Sequence, residues 1–469
     1  MNKIQTRKII LAHALMFSLL LTLAMLPATN LHAAPNACLE RNNGMALPAD
    51  FTGQRYDKTE RNSVFHLISA ARDNQCSGLK LDRGNYMISR HISIPPGFHL
   101  KGTIDQTVPV SAIIGVDADG NIQDQEAFLI RITDRQEASY TVSRLLLQNV
   151  RIDMRGTEST EPNMVEVTRV VVFDTNYEGP QVYIDRVQSF EVSRSIFLRG
   201  QEFGGKGLKT DNSTNGRISE NCFGGQPDPD GPEQFCPSSY FNADILQNLD
   251  DQGHFITAWN ASEGLTDSRF EGNWVKGNTD PDVTVGYLSK DSNRDHGIYV
   301  KFADNITITQ NRFEGWPFGT ANGHLKVRNA SNIKIRSNQI FGMNIDLRPS
   351  ITPATQLWLR QSCTWIDRNE FAGGSVSYDA IRKSGASGDI DTQVWVTNNT
   401  FLESDDLDVP VTDYRIRRPS DAGLHTIGSF WNATDNQREI ANDTPLFNTA
   451  LWSSPSESAD AWWAEQCSQ

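Results

Sequence analysis

A 27-residue repeat between His296 and Ile340 constrains this chain more than any other feature. The segments HGIYVKFADNITITQNRF (296–313) and GHLKVRNASNIKIRSNQI (323–340) superpose with Asn305 on Asn332, Asn311 on Asn338 and Phe313 on Ile340. Each copy holds two short alternating runs, Ile298/Val300 then Ile306/Ile308, and Leu325/Val327 then Ile333/Ile335. Alternation of this kind puts those apolar side chains on one face of two successive strands. Short strands recurring at such a period are the signature of a solenoid. No helical pattern intervenes, so each copy predicts one coil of a parallel β-helix.

Stacking the copies has a chemical consequence. If Ile298 and Val300 point inward, Tyr299 and Lys301 point outward, and the 27-residue shift sets Lys301 beside Arg328 and Tyr299 beside Lys326. Neighbouring strands lie about 4.8 Å apart. Two cations that close on an exposed face repel unless something anionic lies over them, so this column is the candidate site. The hydrophobic-x-hydrophobic-polar pattern extends it to Arg360 downstream, through LWLR (357–360), and to Asp185 and Asp211 upstream. The face therefore changes from acidic to basic along the solenoid.

The remaining coils are read from similar runs. Corners of the form Asn-x-Phe or Asn-x-Ile end at Phe313, Ile340, Phe371 and Phe401, with spacings of 27, 31 and 30 residues. Upstream coils include LLLQNV (145–150), VYID (182–185) and ISENCF (218–223), and the Pro-rich stretch 224–240 reads as an insert beside the groove. The expected domains are a signal peptide over 1–33, a β-helix with an N-terminal cap over 34–405, and a C-terminal segment over 406–469 packed on the solenoid. Lys3, Arg7 and Lys8 precede an apolar core over 9–26 with a small-residue exit at Ala33 or Ala34, the form of a secretory leader. An uncleaved anchor is the alternative, since the core approaches spanning length. No later stretch could span a bilayer, and a secreted or periplasmic monomer is expected.

Losing the leader's three basic residues takes the net charge from −14 to −17. An acidic chain disfavours nucleic acid as a partner, while local clusters can still bind an anionic sugar. Six cysteines at 38, 76, 222, 236, 363 and 467 suggest disulfides in an exported chain. Cys38–Cys76 and Cys222–Cys236 are the plausible local pairs, which leaves Cys363 and Cys467.

From residue 58 to 72, Val64, Phe65, Leu67, Ile68 and Ala71 recur at helical spacing and predict a helix capping the first coil. It precedes GLKLDRGNYMISRHISIPPGFHLKGT (78–103). With Tyr86, Ile88, Ile92, Ile94, Leu100 and Gly102, this combination resembles the opening coil of the pectate-lyase-like superfamily of secreted right-handed β-helix proteins. The resemblance implies the fold and leaves function open, because lyases, hydrolases, epimerases and phage tailspikes share it.

Secreted β-helices of that superfamily commonly act on acidic polysaccharides, such as a capsule or biofilm exopolysaccharide. β-Elimination needs a group that neutralises the uronate carboxylate, a base for the C5 proton and an acid for the leaving O4. The like charge of Arg328 disfavours the ammonium of Lys301, which suits a base, and a guanidinium can hold a carboxylate bidentately. In this the pair is similar to the Lys-plus-Arg site of the alginate lyase and chondroitinase B group. That group's acidic calcium ligands have no counterpart in this sequence, so metal use stays open. His324 and His296 are further candidates for the base and Tyr299 for the acid. Lys326, Arg360, His254, Trp316, Asp185 and Asp211 are candidates for binding substrate.

A lyase is the leading expectation. A hydrolase using paired aspartates is the alternative, with Asp250 and Asp251 as further carboxylates. The ordered motifs of the polygalacturonase-like hydrolases are missing, however, as is the Asp-Pro-His signature of mannuronan C5-epimerases. A glycan-binding adhesin is the remaining reading.

Overall fold

In the computed structural model, residues 63–439 are described except 74–75, 106–107, 118–126, 133–135, 175–178, 200–205, 225–256, 277–296, 315–323, 352–359, 373–375, 379–380, 383–390, 403–415, 418–429 and 435–436. They form a right-handed parallel β-helix, the architecture that the opening-coil resemblance implies. Three long parallel sheets of 11, 12 and 12 strands run along its length. Within a coil the chain passes through sheet 1 (Ile298–Lys301), sheet 2 (Asp304–Thr309) and sheet 3 (Arg312–Glu314), then returns to sheet 1 at His324–Arg328. The register is the one that the repeat requires: Ile298 pairs with Leu325, Tyr299 with Lys326 and Lys301 with Arg328.

Alternating side chains fill one continuous interior. Ile298, Val300, Ile306, Ile308, Leu325, Val327, Ile333 and Ile335 all have no exposed surface. Each is worth about 1.5–3 kcal/mol of burial. Aromatic rings stack from coil to coil, with centroids 4.7 Å apart for Phe197–Phe223 and Phe371–Phe401, and within one coil for Trp259–Phe270 at the same distance. Gly102 of the opening-coil motif lies where a Cβ would collide with the carbonyl oxygen of Arg144 in the next coil. Only glycine permits that approach.

The corner between sheets 2 and 3 carries a ladder of buried asparagines. Side-chain amides donate to the carbonyl oxygen of the next rung in the series Asn221, Asn273, Asn311, Asn338, Asn369 and Asn399, at 2.9–3.1 Å. Each of these carbonyl oxygens also accepts the backbone N–H of the preceding rung, and each amide also reaches a main-chain carbonyl, as Asn338 does to Ile308. Gln310, Ser337, Arg368 and Asn398, just before their rungs, have φ of 54–56°. That left-handed bend turns the chain while the asparagine satisfies the groups the bend exposes.

The helix Val64–Asp73 covers the first coil, burying Val64, Leu67, Ile68 and Ala71. Ser63 caps it, its hydroxyl accepting from the His66 N–H at 3.1 Å. Residues 58–62 of the expected helix lie outside the described residues.

The solenoid does not end at 405. Ile416–Arg417, Phe430–Thr434 and Gln437–Glu439 extend sheets 1, 2 and 3 by a further coil. The strand FWNAT pairs with the one around Val394 and Val396 yet carries no aliphatic alternation, so its sequence does not announce it. The rest of 406–469 and the leader over 1–33 lie outside the described residues. No described helix is long and apolar enough to cross a membrane. None of the described cysteines, Cys76, Cys222 and Cys363, is a free thiol; Cys38, Cys236 and Cys467 lie outside the described residues, so the pairing stays an expectation.

Replacing Asn338 by Ala removes the acceptor of the buried Asn311 N–H. The expected loss in urea unfolding is about 1–3 kcal/mol, the penalty for one orphaned buried donor. Thr307→Ala, on the outer face of the neighbouring coil, is expected to stay within about 0.5 kcal/mol.

Candidate functional site

The outward face of sheet 1 is lined by two polar columns. One runs through Asp153, Tyr183, Lys209, Asn260, Tyr299, Lys326 and Asp346. The other runs through Arg155, Asp185, Asp211 and Ser262. It continues to Lys301 and Arg328, because Ala261, just before Ser262, pairs with Val300, just before Lys301. The acidic-to-basic change expected from the pattern is therefore present in register.

At the basic end, the Arg328 guanidinium donates to the Tyr299 hydroxyl at 3.4 Å. The Lys301 ammonium lies over the Phe302 ring, 4.5 Å from its centroid, a cation–π placement that holds it at the corner. Phe302 has a φ of 52°, as part of the left-handed corner that Arg186, Asn212, Glu263 and Asn329 repeat in the neighbouring coils. Tyr299, Lys301 and Arg328 are each partly exposed. Lys326 differs: it is outward by register but only 5% exposed, with its ammonium 3.9 Å from Asp346.

At the acidic end, Asp211 is 1% exposed and accepts from Tyr183 at 2.9 Å and from Ser262 at 2.6 Å, with Lys209 at 2.5 Å. Burial pulls the Lys209 pKa down, but the hydrogen bond and charge of Asp211 outweigh it and hold Lys209 above the ordinary lysine value. Burial of the phenol raises Tyr183 above the ordinary tyrosine value; the Lys209 hydrogen bond opposes this and Asp211 reinforces it. Asp185 accepts from Arg186 and Asn212, each at 3.0 Å. Arg155 grips Asp153 through two hydrogen bonds, which raise its own pKa despite desolvation.

Asn260 sits between Lys209 and Tyr299 in the first column. It is 6% exposed, and among the described residues its side-chain oxygen has no hydrogen-bond partner. A buried orphan acceptor is costly and invites an external donor, so it marks the middle of the face as a place for a ligand hydroxyl.

Several sequence candidates fall elsewhere. Arg360 does not continue the column: it opens the strand Arg360–Asp367 of sheet 2 and pairs with Asp391. The coil after Arg328 reaches sheet 1 early, at Asn344–Leu347, so Arg348 follows in that column. The NIDL strand breaks the apolar-x-apolar-basic pattern that made LWLR look equivalent. His324 begins its strand in register with Asn344. His254, His296, Trp316, Asp250 and Asp251 lie outside the described residues.

Tyr183, Lys209, Asn260 and Ser262 were not singled out by sequence. Tyr183 and Lys209 were within reach, two residues before Asp185 and Asp211 on the same outward parity. The strand holding Asn260 and Ser262 reads TAWNAS and has no apolar alternation. Among the described residues no group of three or more His, Cys, Asp or Glu side chains is arranged to hold a metal ion.

No protein-family profile matches the chain, and no curated protein matches it. Solved structures resemble it in fold. The A-module of the mannuronan C-5 epimerase AlgE6 of Azotobacter vinelandii is 14% identical, with a TM-score of 0.42 over 80% of this chain and 94% of that one. The periplasmic alginate epimerase AlgG, in a mutant form, is 9% identical, with a TM-score of 0.44 over 77% of each chain. The surface adhesin PfbA of Streptococcus pneumoniae is 11% identical, with a TM-score of 0.35 over 80% of this chain and 91% of that one. These similarities are of overall fold.

Asp211→Asn should lower the Lys209 titration, read by NMR of labelled lysine, because burial is then no longer outweighed. A folded-state pKa raised above the unfolded one stabilises below that range and loses the contribution as pH rises through the folded value. Wild type should therefore lose stability at alkaline pH more steeply than Asp211→Asn.

Proposed function

We propose that the protein is an exported enzyme that cleaves an acidic extracellular polysaccharide by β-elimination. The observation that carries this reading is the in-register Lys301–Arg328 pair, with Arg328 on the Tyr299 hydroxyl, at the end of a face whose other half is acidic and hydrogen-bonded. An anionic sugar suits such a pair: its carboxylate offsets two like charges one strand spacing apart. Arg328 would hold that carboxylate, which makes the C5 proton more acidic. Lys301 would accept the proton, and Tyr299, two residues earlier on the same strand face, would donate to the departing O4. Asn260, Ser262 and the Tyr183–Lys209–Asp211 group would receive the neighbouring sugar.

The hydrolase reading has less support. Asp185 and Asp211 both project from sheet 1, but their oxygens are taken up by Arg186, Asn212, Tyr183, Lys209 and Ser262. A glycosidase carboxyl must reach the glycosidic oxygen or a water. C5 epimerisation would share the proton-abstraction step and differ only in the fate of the carbanion.

Incubation with a panel of uronate-containing polysaccharides should give the ultraviolet absorbance of an unsaturated uronyl end as chains shorten. Shortening without that absorbance would indicate hydrolysis, and inverted C5 centres without shortening would indicate an epimerase. Lys301→Ala should lower turnover by about 10²–10⁴-fold, the range for a lost general base. Arg328→Lys should recover only part of what Arg328→Ala loses. Near-normal turnover by folded Lys301→Ala would move the base elsewhere, with His324 and then His296 the next to test.

A further inference from the structure

A second cluster of cations lies on the far side of the coil, where sheet 2 turns into sheet 3. Lys80 pairs with Lys101, and Lys101 with Ser143. Arg144, Arg169 and Arg194 then follow Ser143, Thr168 and Ser193 at equivalent corner positions, each with φ of 52–59°. Their backbone N–H groups reach the coil above in the same way: Arg144 to Thr168, Arg169 to Ser193 and Arg194 to Ser219. The three arginines therefore stack one strand spacing apart, one residue beyond the column that holds Lys80, Lys101 and Ser143.

The run stops at a defined point. The next corner residue is Glu220, which pairs with Arg194 at 2.8 Å. Among the described residues, Lys80, Lys101, Arg144 and Arg169 form no ion pair, although all four are partly exposed. Burial, then the charges of Arg144 and Lys80, lower the Lys101 pKa, and burial, then the charge of Arg169, lowers that of Arg144. Glu166 is the neighbouring counter-charge, but it accepts from Thr141, which in turn bonds His99 Nδ1. A ridge of like charges in a chain of net charge −14 is unfavourable by itself and is relieved by a bound polyanion.

We propose that the Lys80–Lys101–Arg144–Arg169 ridge is a second binding site for the acidic glycan, remote from the sheet 1 face. This rests on the acidic-glycan reading for its ligand class, but not on the chemistry at Lys301. The lysine column continues through Ser143 to the partly exposed Thr168, whose hydroxyl stands beside the arginine corner. A membrane-binding ridge would carry apolar side chains to insert beside the cations. Two adjoining pairs of cations, each repeated at strand spacing, suit a linear chain with regularly spaced charges, and holding it there would keep a polymer on the protein between catalytic events.

The test is calorimetric titration of the full-length exported chain, carrying Lys301→Ala to stop turnover, with alginate and polygalacturonate chains. Arg144→Asn/Arg169→Asn, which keeps a residue tolerant of the left-handed corner, should weaken binding by about tenfold, the worth of two partly exposed ion pairs. The loss should shrink at high salt. Arg144→Lys/Arg169→Lys should retain most of the binding. With Lys301 restored, both double variants should turn over short oligosaccharides normally.

Unchanged polymer binding by the Asn double variant would overturn the proposal. So would equal losses in the Asn and Lys variants, or ridge-dependent binding to phosphatidylglycerol vesicles but to neither glycan. Ridge-dependent glycan binding without cleavage of any polysaccharide would leave this site standing and remove the reaction assigned to sheet 1. Cleavage with ridge-independent binding would do the reverse.

Discussion

The asparagine ladder is the interaction on which the rest of the structure depends. A solenoid coil has no partner except its two neighbours, so an error in register would propagate along the molecule. Each rung from Asn221 to Asn399 binds the next rung and the backbone on either side. It thereby sets where the strands of sheet 3 from Cys222–Phe223 to Thr400–Leu402 begin relative to their neighbours. It also satisfies the peptide groups that the left-handed bend would otherwise leave buried and unpaired.

With register held, charge becomes a lengthwise pattern. Outward positions on sheet 1 form straight columns, so residues distant in sequence, such as Asp211 and Lys301, stand on one line. A polar group in such a column meets the same position of the next coil, and each column resolves as ion pairing, hydrogen bonding or like-charge contact. At the acidic end the resolution is internal, through Lys209, Tyr183 and Ser262. Across the molecule, Arg144 and Arg169 make the unresolved case, and the Lys301–Arg328 register brings a second pair of cations together.

Much of this could be read from residues because inward positions obey a simple alternation and the asparagine corners recur. The 27-residue shift alone places Lys301 on Arg328, and Asp185 and Asp211 follow from the same pattern. Where a coil departs from that pattern, reading fails for a physical reason. TAWNAS fills its interior positions with Ala and Trp and hides the coil that carries Asn260. NIDL arrives after a shortened return, so Arg348 rather than Arg360 follows Arg328. The coil around Phe430–Thr434 extends the solenoid past 405 with no aliphatic signal. Burial is also not a property of parity: Lys326 is outward by alternation yet buried against Asp346.

The central claim is that Lys301 and Arg328 act on one transition state. A double-mutant cycle on turnover, using Lys301→Ala, Arg328→Ala and the combination, tests it most directly. Residues serving one step lose their effect together, so the double variant should be little slower than the slower single one. Losses that multiply would mean that the two side chains act independently, and would contradict the account.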